Sequence, residues 1–190
     1  MNKVKALFGF WMAAASMTAS ADVLINVDLS VVDEVIFTAT TGNSAITATG
    51  SDFSGILLGG ILGGSGGVNF NFMDFSDFSS AQNPTNGFPG LLQGGGGTDS
   101  GLNIFAMSTD ANLDFSEGRR AFVGEIRMRL NPTFYNNLVA GNTTGNIYFP
   151  AEDDSQIPGA EILGTYRVVP APSGLALLGL GGLLAGRRRR

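Results

Sequence analysis

The sequence contains no cysteine and no histidine among its 190 residues. Without cysteine there are no disulfides, so the stability of the fold must come from packing alone. Without histidine the chain lacks the commonest general base and transition-metal ligand, and a Ser-His-Asp triad is impossible. Lysine occurs only as Lys3 and Lys5, close to the N-terminus. These absences argue against most hydrolase mechanisms, and we expect the protein not to be an enzyme.

The first 21 residues have the three-part layout of a secretory signal peptide. Two lysines supply the positive start, and an uncharged apolar stretch follows that is shorter than the roughly 20 residues of a membrane span. Ala19 and Ala21 then place small side chains at the two positions that a signal peptidase reads. We therefore predict that residues 1–21 are a signal helix, that signal peptidase cuts before Asp22, and that the rest of the chain is exported.

The opposite end of the chain, residues 169–190, carries a second three-part pattern. It begins with the motif Val169, Pro170, Ala171, Pro172 and Ser173. An uncharged apolar stretch follows, and the pattern ends with the cluster Arg187, Arg188, Arg189 and Arg190. From Pro170 to Gly186 a helix would be about 25 Å long, less than the roughly 30 Å hydrocarbon core of a bilayer. The sequence thus predicts a short C-terminal transmembrane helix, with its arginines in the cytoplasm and the body of the protein outside.

This tail resembles the PEP-CTERM sorting signal of Gram-negative bacteria, in which a Pro-Glu-Pro motif precedes a short apolar helix and an arginine cluster. Ala171 stands where the family has glutamate. The resemblance covers about residues 168–190 and implies that an exosortase, a membrane-embedded cysteine transpeptidase, cuts near the Pro-x-Pro motif. It further implies transient anchoring in the inner membrane, followed by passage to the cell surface or to the extracellular matrix of a biofilm. A plain C-terminal membrane anchor is the alternative.

Removal of both ends would leave one mature domain, residues 22–168, which is long enough to bury a core. All 16 acidic residues lie in this domain but only five of the basic ones, so its net charge is −11, against −5 for the whole chain. So acidic a domain repels nucleic acid and anionic membrane surfaces, and we expect no nucleic-acid partner. Cations, or exopolysaccharide loaded with cations, are the partners that this charge favours.

The mature domain consists of short runs in which apolar and polar residues tend to alternate, separated by clusters of Gly, Asn, Asp and Ser. These runs predict strands at residues 23–29, 35–40, 45–49, 68–75, 102–107, 121–130, 146–149 and 162–169. Residues 41–43 predict a turn that joins the second and third runs as a hairpin. One or two helical turns are expected over residues 133–139. Many short strands separated by turns predict an all-β fold, specifically an antiparallel β-sandwich or jelly roll.

Asp110, Asn112 and Asp114 have the every-second-residue oxygen spacing of a calcium-binding loop. The EF-hand pattern is incomplete, because Phe115 stands where glycine is needed and Ala121 where the closing glutamate belongs. An acidic turn between strands is the alternative interpretation. Weak calcium binding at these three residues is the one cofactor that the sequence predicts.

The leading hypothesis from the sequence is a noncatalytic exported protein of the bacterial envelope or extracellular polysaccharide matrix. The first alternative is a secreted carbohydrate-binding module with exposed aromatic residues such as Phe88, Tyr135 or Tyr148. The second is a glycan-active enzyme that uses a carboxylate pair, for which Asp74 and Asp77 are the candidates. An ice-binding protein is the third, although two Thr-x-Thr units are too few for a binding array.

Overall fold

The computed structural model describes residues 21–66, 70–72, 75–84, 88–107 and 110–169. The predicted signal helix, except for Ala21, and the predicted transmembrane helix therefore lie outside the described residues. The structure is mainly β, which confirms the all-β prediction at that level. Among the described residues, no helix has both the length and the hydropathy that crossing a bilayer requires.

The described residues form fourteen strands and three short helical segments. The strands are β1 (Val23–Asp28), β2 (Glu34–Ala39), β3 (Ala48–Ser51), β4 (Ile56–Leu58), β5 (Phe70–Phe72), β6 (Phe75–Ser76), β7 (Ser79–Ser80), β8 (Gly90–Leu92), β9 (Leu102–Phe105), β10 (Asn112–Phe115), β11 (Phe122–Val123), β12 (Glu125–Arg129), β13 (Thr144–Phe149) and β14 (Glu161–Val169). The helical segments are the one-turn α1 (Gly94–Gly97), α2 (Pro132–Ala140) and a 3₁₀ helix, η1 (Asp154–Gly159).

Ten of these strands form one sheet in the order β5-β8-β9-β4-β13-β14-β1-β2-β12-β6. Its neighbouring strands are antiparallel, except for β1 and β14, which run parallel in the middle of the sheet. The two outermost strands, β5 and β6, are separated in the chain by only two residues. Since consecutive Cα atoms are 3.8 Å apart, Phe72 and Phe75 lie within about 11 Å of each other. The sheet therefore curls until its two ends meet.

A chain of phenylalanine rings crosses the interior where the ends of the sheet come together. The ring of Phe122 lies 5.1 Å from that of Phe78, 5.3 Å from that of Phe115 and 6.3 Å from that of Phe88, measured between centroids. The ring of Phe115 in turn lies 4.9 Å from that of Phe149. All five side chains are buried in one continuous hydrophobic core. Two two-stranded ribbons contribute three of these rings. Phe115 lies in β10, which pairs with β3, and Phe122 lies in β11, which pairs with β7. Phe78 directly precedes β7.

The strand predicted at residues 121–130 buries the face that its alternation predicts, but it is not one continuous strand. Phe122, Ile126 and Met128 are buried while Arg127 is exposed, as the alternation predicts. The run is nevertheless two strands, because Gly124 has a φ of +84° that most side chains avoid. β11 pairs with β7 before this glycine, and β12 pairs with β2 and β6 after it.

The predicted hairpin between the second and third strands is wrong. β2 pairs with β1 and β12, whereas β3 pairs with β10. After β2 the chain instead crosses over, with the N–H of Ser44 donating to the carbonyl of Arg119 and that of Ala45 to the carbonyl of Leu163. A turn signal between two strand-forming runs does not specify that the runs pair with each other, because partners are chosen by burial across the whole sheet.

The helical turns predicted at residues 133–139 are confirmed as α2. Pro132 occupies the first turn, where its missing N–H costs nothing, and the Asn131 side chain accepts from the N–H of Phe134 at 2.9 Å. The glycine-rich segment at residues 88–99 holds β8 and α1. In α1, Gly95 and Gly96 have φ values of +58° and +65°, so this turn is left-handed at its centre.

Candidate functional site

The residues predicted to bind calcium lie in a row along the exposed side of the β3–β10 ribbon. Asn112 and Asp114 belong to β10, and Asp110 precedes it. The Ser51 hydroxyl donates to Asp110 Oδ1 at 2.7 Å, and the Thr49 hydroxyl donates to Asp114 Oδ1 at 2.8 Å. Alternate residues of a strand are about 7 Å apart, whereas two oxygens on one calcium ion lie within about 5 Å. The arrangement is a cross-strand hydrogen-bonded row rather than the curved loop that the spacing predicted.

Within the part of the chain that the structure describes, no group of three or more acidic, histidine or cysteine residues is placed to hold a metal ion. Calcium binding therefore stays a prediction from the spacing. A site with a Kd of about 1 mM would add about 1.4 kcal/mol at 10 mM calcium, or a Tm increase of about 3–6 °C. Thermal melts with calcium and with chelator measure this, and equal midpoints would contradict the site. An increase that persists in the Asp110→Asn, Asp114→Asn double variant would place calcium elsewhere.

Another acidic cluster, at residues 152–154, acts as a structural clip. Asp154 accepts from both the N–H and the hydroxyl of Ser100 at 2.8 Å, and from the N–H of Gly101 at 3.0 Å. Asp153 caps η1 by accepting from the N–H of Ser155 at 2.9 Å. Asp154 thus ties the β13–β14 connection to the start of β9, and Asp153 fixes the start of η1.

Two of the three aromatic residues proposed for carbohydrate binding lie inside the domain. Phe88 and Tyr135 are buried, so their rings cannot stack on a sugar, and only Tyr148 is partly accessible. Asp77 accepts from the N–H of Glu125 at 2.6 Å and so fixes the start of β12. Its proposed partner, Asp74, lies outside the described residues. Phe88 and Tyr135 belong to the hydrophobic core. A hydrophobicity pattern does not distinguish a buried aromatic side chain from an exposed one.

The predicted sorting motif begins where the sheet ends. Val169 is the last residue of β14 and is partly exposed, and its carbonyl accepts from the N–H of Leu29 at 3.2 Å. β14 lies between β13 and β1, so the strand that leads into the tail is internal to the sheet. Residues 170–173 of the motif and Arg187, Arg188, Arg189 and Arg190 lie outside the described residues. The end of the sheet at which β1 and β14 both finish is the Val169 pole. The turn at residues 30–33 lies at this pole, and the side chains of its residues Val31 and Val32 are exposed.

Those two valines were not expected to matter from the sequence. The available signal was an apolar pair inside a turn between β1 and β2, where polar residues are the norm. Exposed β-branched side chains are unusual in a turn and can indicate a contact surface. Sequence alone did not show that this turn lies beside the exit of the chain, since that follows from the parallel pairing of β1 with β14.

The predicted start of the mature chain lies at the other end of β1. The carbonyl of Asp22 accepts from the N–H of Thr165 at 2.9 Å, and its carboxylate accepts from the N–H of Asn43 at 2.8 Å. Asp22 also lines two shallow depressions of about 330 and 320 Å³. β1 spans six residues, or about 20 Å, between Asp22 and the Val169 pole. The two predicted cleavage sites therefore lie near opposite ends of β1.

Two buried tyrosines make the stability of the domain sensitive to alkaline pH. The Tyr166 hydroxyl donates to the carbonyl of Gly59 at 2.9 Å; burial, with a smaller contribution from Tyr148, raises the pKa of this phenol far above 10. Burial, with a smaller contribution from Asp33, also raises the pKa of Tyr135. The unfolded chain loses these protons near pH 10 while the folded chain keeps them. Their contribution is therefore complete below pH 10 and is lost as the pH rises above it.

We expect the free energy of unfolding to fall above pH 10 by up to about 1.4 kcal/mol per pH unit on account of Tyr166, the tyrosine whose pKa is raised far above its unfolded value. Tyr166→Phe loses one hydrogen bond, about 0.5–1.5 kcal/mol below pH 10, and its slope above pH 10 should be shallower than that of the wild type. Urea unfolding at pH 8 to 11.5 measures both. Parallel curves for the wild type and Tyr166→Phe would contradict the assignment to this residue.

Comparisons with known proteins add no relative to this description. No protein-family model matches the chain, no curated protein is similar to it, and no solved structure matches its fold. The function must therefore be argued from the sequence of the two ends and from the geometry of the domain that lies between them.

Proposed function

We propose that this is a noncatalytic exported protein of the bacterial cell surface or extracellular polysaccharide matrix, sorted by an exosortase that removes its C-terminal tail. The order of motif, apolar stretch and arginine cluster in the tail supports the proposal. The structural observation that carries it is the position of Val169, which is both the last residue of β14 and the first residue of the motif. The last described strand therefore leads directly into the proposed sorting motif.

This position makes the motif a suitable place to cut. Pro170 has no N–H for a strand ladder and restricts Val169 to extended conformations, so the ladder ends there. Val168 is the last residue of the hydrophobic core, and its N–H donates to the carbonyl of Thr143 at 2.7 Å. A cut anywhere in residues 170–172 would therefore leave every core residue of the described domain in the released chain.

The mature domain has, in this proposal, a binding or matrix role rather than a catalytic one. Its charge of −11 favours cations or cation-loaded exopolysaccharide as partners. Burial of Phe88 and Tyr135 weakens the case for a carbohydrate-binding module that works by aromatic stacking.

The finer architecture of the domain is also a proposal. A curled sheet whose ends meet is compatible with a jelly roll, although the parallel β1–β14 pair differs from an all-antiparallel jelly roll.

The test is the intact mass of protein recovered from the surface or medium of a host that contains an exosortase. We expect a chain that begins at Asp22 and ends within or near residues 170–173. Changing Arg187, Arg188, Arg189 and Arg190 to glutamate should block processing, because the tail loses the charge that holds its end in the cytoplasm. Ala171→Glu is the matched control and should be processed, since it restores the usual tripeptide.

Two results would contradict the proposal. Surface protein that still ends in its four arginines would show that the tail is a plain membrane anchor. Equal processing of the wild type and of the variant with four glutamates would show that the cut does not depend on the predicted topology.

A further inference from the structure

We propose that the turn at residues 30–33 rests on the lipid surface of the inner membrane while the tail anchors the domain, and leaves it once the tail is cut. This inference rests on the proposed function, because the tail is what brings the turn to the bilayer. The turn and the tail are brought together by the fold: they are about 140 residues apart in the chain.

The pairing of the first and last strands sets this placement. β1 runs parallel to β14, with Asp28 opposite Val169, so both strands end at the same pole. The turn continues beyond β1 in the direction in which the chain leaves β14. From Val169 to Ser173, where the apolar stretch of the tail begins, four residues reach at most about 14 Å. Val169, which pairs with β1 next to the turn, is thus held within that distance of the point where the tail would enter the bilayer.

The turn is braced and presents apolar side chains outward. Val32 is 71% exposed, Val31 is 54% exposed and the neighbouring Val169 is 43% exposed. The N–H of Glu34 donates to the carbonyl of Val31 at 3.2 Å, which closes the turn. Behind it, the Tyr135 hydroxyl donates to the carbonyl of Leu29 at 2.9 Å. A single exposed valine needs no explanation, but three at the end where β1 and β14 both finish suit a lipid interface.

Charge limits this contact to the anchored state. Asp28 and Asp33 flank the two valines, and the mature domain carries −11 overall, so anionic lipid repels the free domain. The nearby Glu34 is paired with Arg127 at 2.7 Å and adds no free negative charge. An inserted tail raises the effective concentration of the turn at the bilayer to the millimolar range or above, where a weak apolar contact is populated. Cleavage removes that tether, and repulsion then favours release.

The consequence for processing is positional. A second contact, besides the tail itself, limits rotation of the domain about the tail and keeps residues 169–173 at a constant height above the bilayer. The motif would then be presented to a membrane-embedded peptidase in one orientation, which lowers the entropic cost of recognition.

The composition of the chain supplies a direct reporter. Its one tryptophan, Trp11, lies in the predicted signal peptide, so residues 22–190 contain none. Val32→Trp therefore gives a single fluorophore in the turn, and Ile162→Trp gives a matched control. Ile162 is 41% exposed near the start of β14, seven residues or about 23 Å from the Val169 pole. A third variant, Leu178→Trp, reports insertion of the tail.

Each variant of residues 22–190 is reconstituted in vesicles of phosphatidylcholine and phosphatidylglycerol whose acyl chains are brominated near the headgroup or near the bilayer centre. We expect Leu178→Trp to be quenched by the deep bromines. Val32→Trp should be quenched by the shallow bromines at least threefold more than Ile162→Trp. The same Val32→Trp substitution in a chain that ends at Val169, mixed with the same vesicles, should show no quenching.

The possible failures are separable. If Leu178→Trp is not quenched, the tail does not insert, and the proposed function and this inference fall together. If Leu178→Trp is quenched but Val32→Trp is quenched no more than Ile162→Trp, the inference alone is overturned. The valines would then face a protein partner or solvent instead of lipid. Quenching of Val32→Trp in the chain that ends at Val169 would overturn release on cleavage.

Discussion

Phe122→Ala is expected to lower the free energy of unfolding by about 3–5 kcal/mol. Since domains of this size are stable by about 5–15 kcal/mol, a substantial fraction of the variant would be unfolded or aggregated at physiological temperature. The cost is high because the Phe122 ring touches the rings of Phe78, Phe88 and Phe115 at once. Truncation would leave a cavity that all three border.

The position of Phe122 in the fold adds to this effect. Phe88 precedes β8, near one end of the sheet, while β11 leads through Gly124 into β12, near the other end. The Phe122–Phe88 contact thus joins the two ends of the curled sheet. Urea unfolding measures the change, with Phe53→Ala as the control, because Phe53 is half-exposed and meets one ring, Phe105, at 6.2 Å. We expect less than about 1 kcal/mol for the control, and equal losses in the two variants would contradict the argument.

Asn103→Asp should destabilise the protein by about 3–5 kcal/mol at pH 7, although it changes the side chain by one group. Asn103 is buried, and its Nδ2 donates to the carbonyls of Ser54 at 2.8 Å, Ile56 at 3.1 Å and Ala151 at 2.9 Å. An aspartate would put a carboxylate oxygen against three carbonyl oxygens with no proton between them. A buried charge without partners is among the most costly changes in a protein.

The pH dependence distinguishes this cause from a loss of shape. Burial raises the folded-state pKa of the introduced carboxyl above its unfolded value of about 4. A raised pKa means that the penalty is absent below about pH 4 and grows as the pH rises through the folded-state value. The stability difference between Asn103→Asp and the wild type should therefore shrink between pH 7 and pH 4. A difference that stays constant would contradict the charge argument.

Asn146→Asp is the matched control for this substitution. Asn146 is partly buried in β13, and its Nδ2 donates to the Tyr148 hydroxyl at 3.3 Å. Water reaches this side chain, so the new carboxylate stays solvated and we expect a loss below about 1 kcal/mol. A loss at Asn146 as large as that at Asn103 would show that burial does not set the cost.

The sequence by itself determined which face of residues 121–130 points inward and where the longest helix of the described residues lies. Alternation at residues 121–130 predicted that Ile126 and Met128 are buried and Arg127 exposed. Residues 133–139, which follow Pro132, were predicted to be helical and lie in α2. These features are local, because side-chain direction follows from a period of two and a cap involves residues three apart. The charge of the mature part and the order of the tail motif are likewise readable without a fold.

Only the tertiary structure decided which segments pair and what a local pattern becomes. The spacing of Asp110, Asn112 and Asp114 fits a calcium loop or one face of a strand equally well, and long-range pairing of β10 with β3 selected the strand. The same long-range contacts buried Phe88 and Tyr135, left β3 without its expected hairpin partner, and set β1 beside β14. Pairing and closure depend on contacts between segments far apart in the chain, and no window of local sequence contains that information.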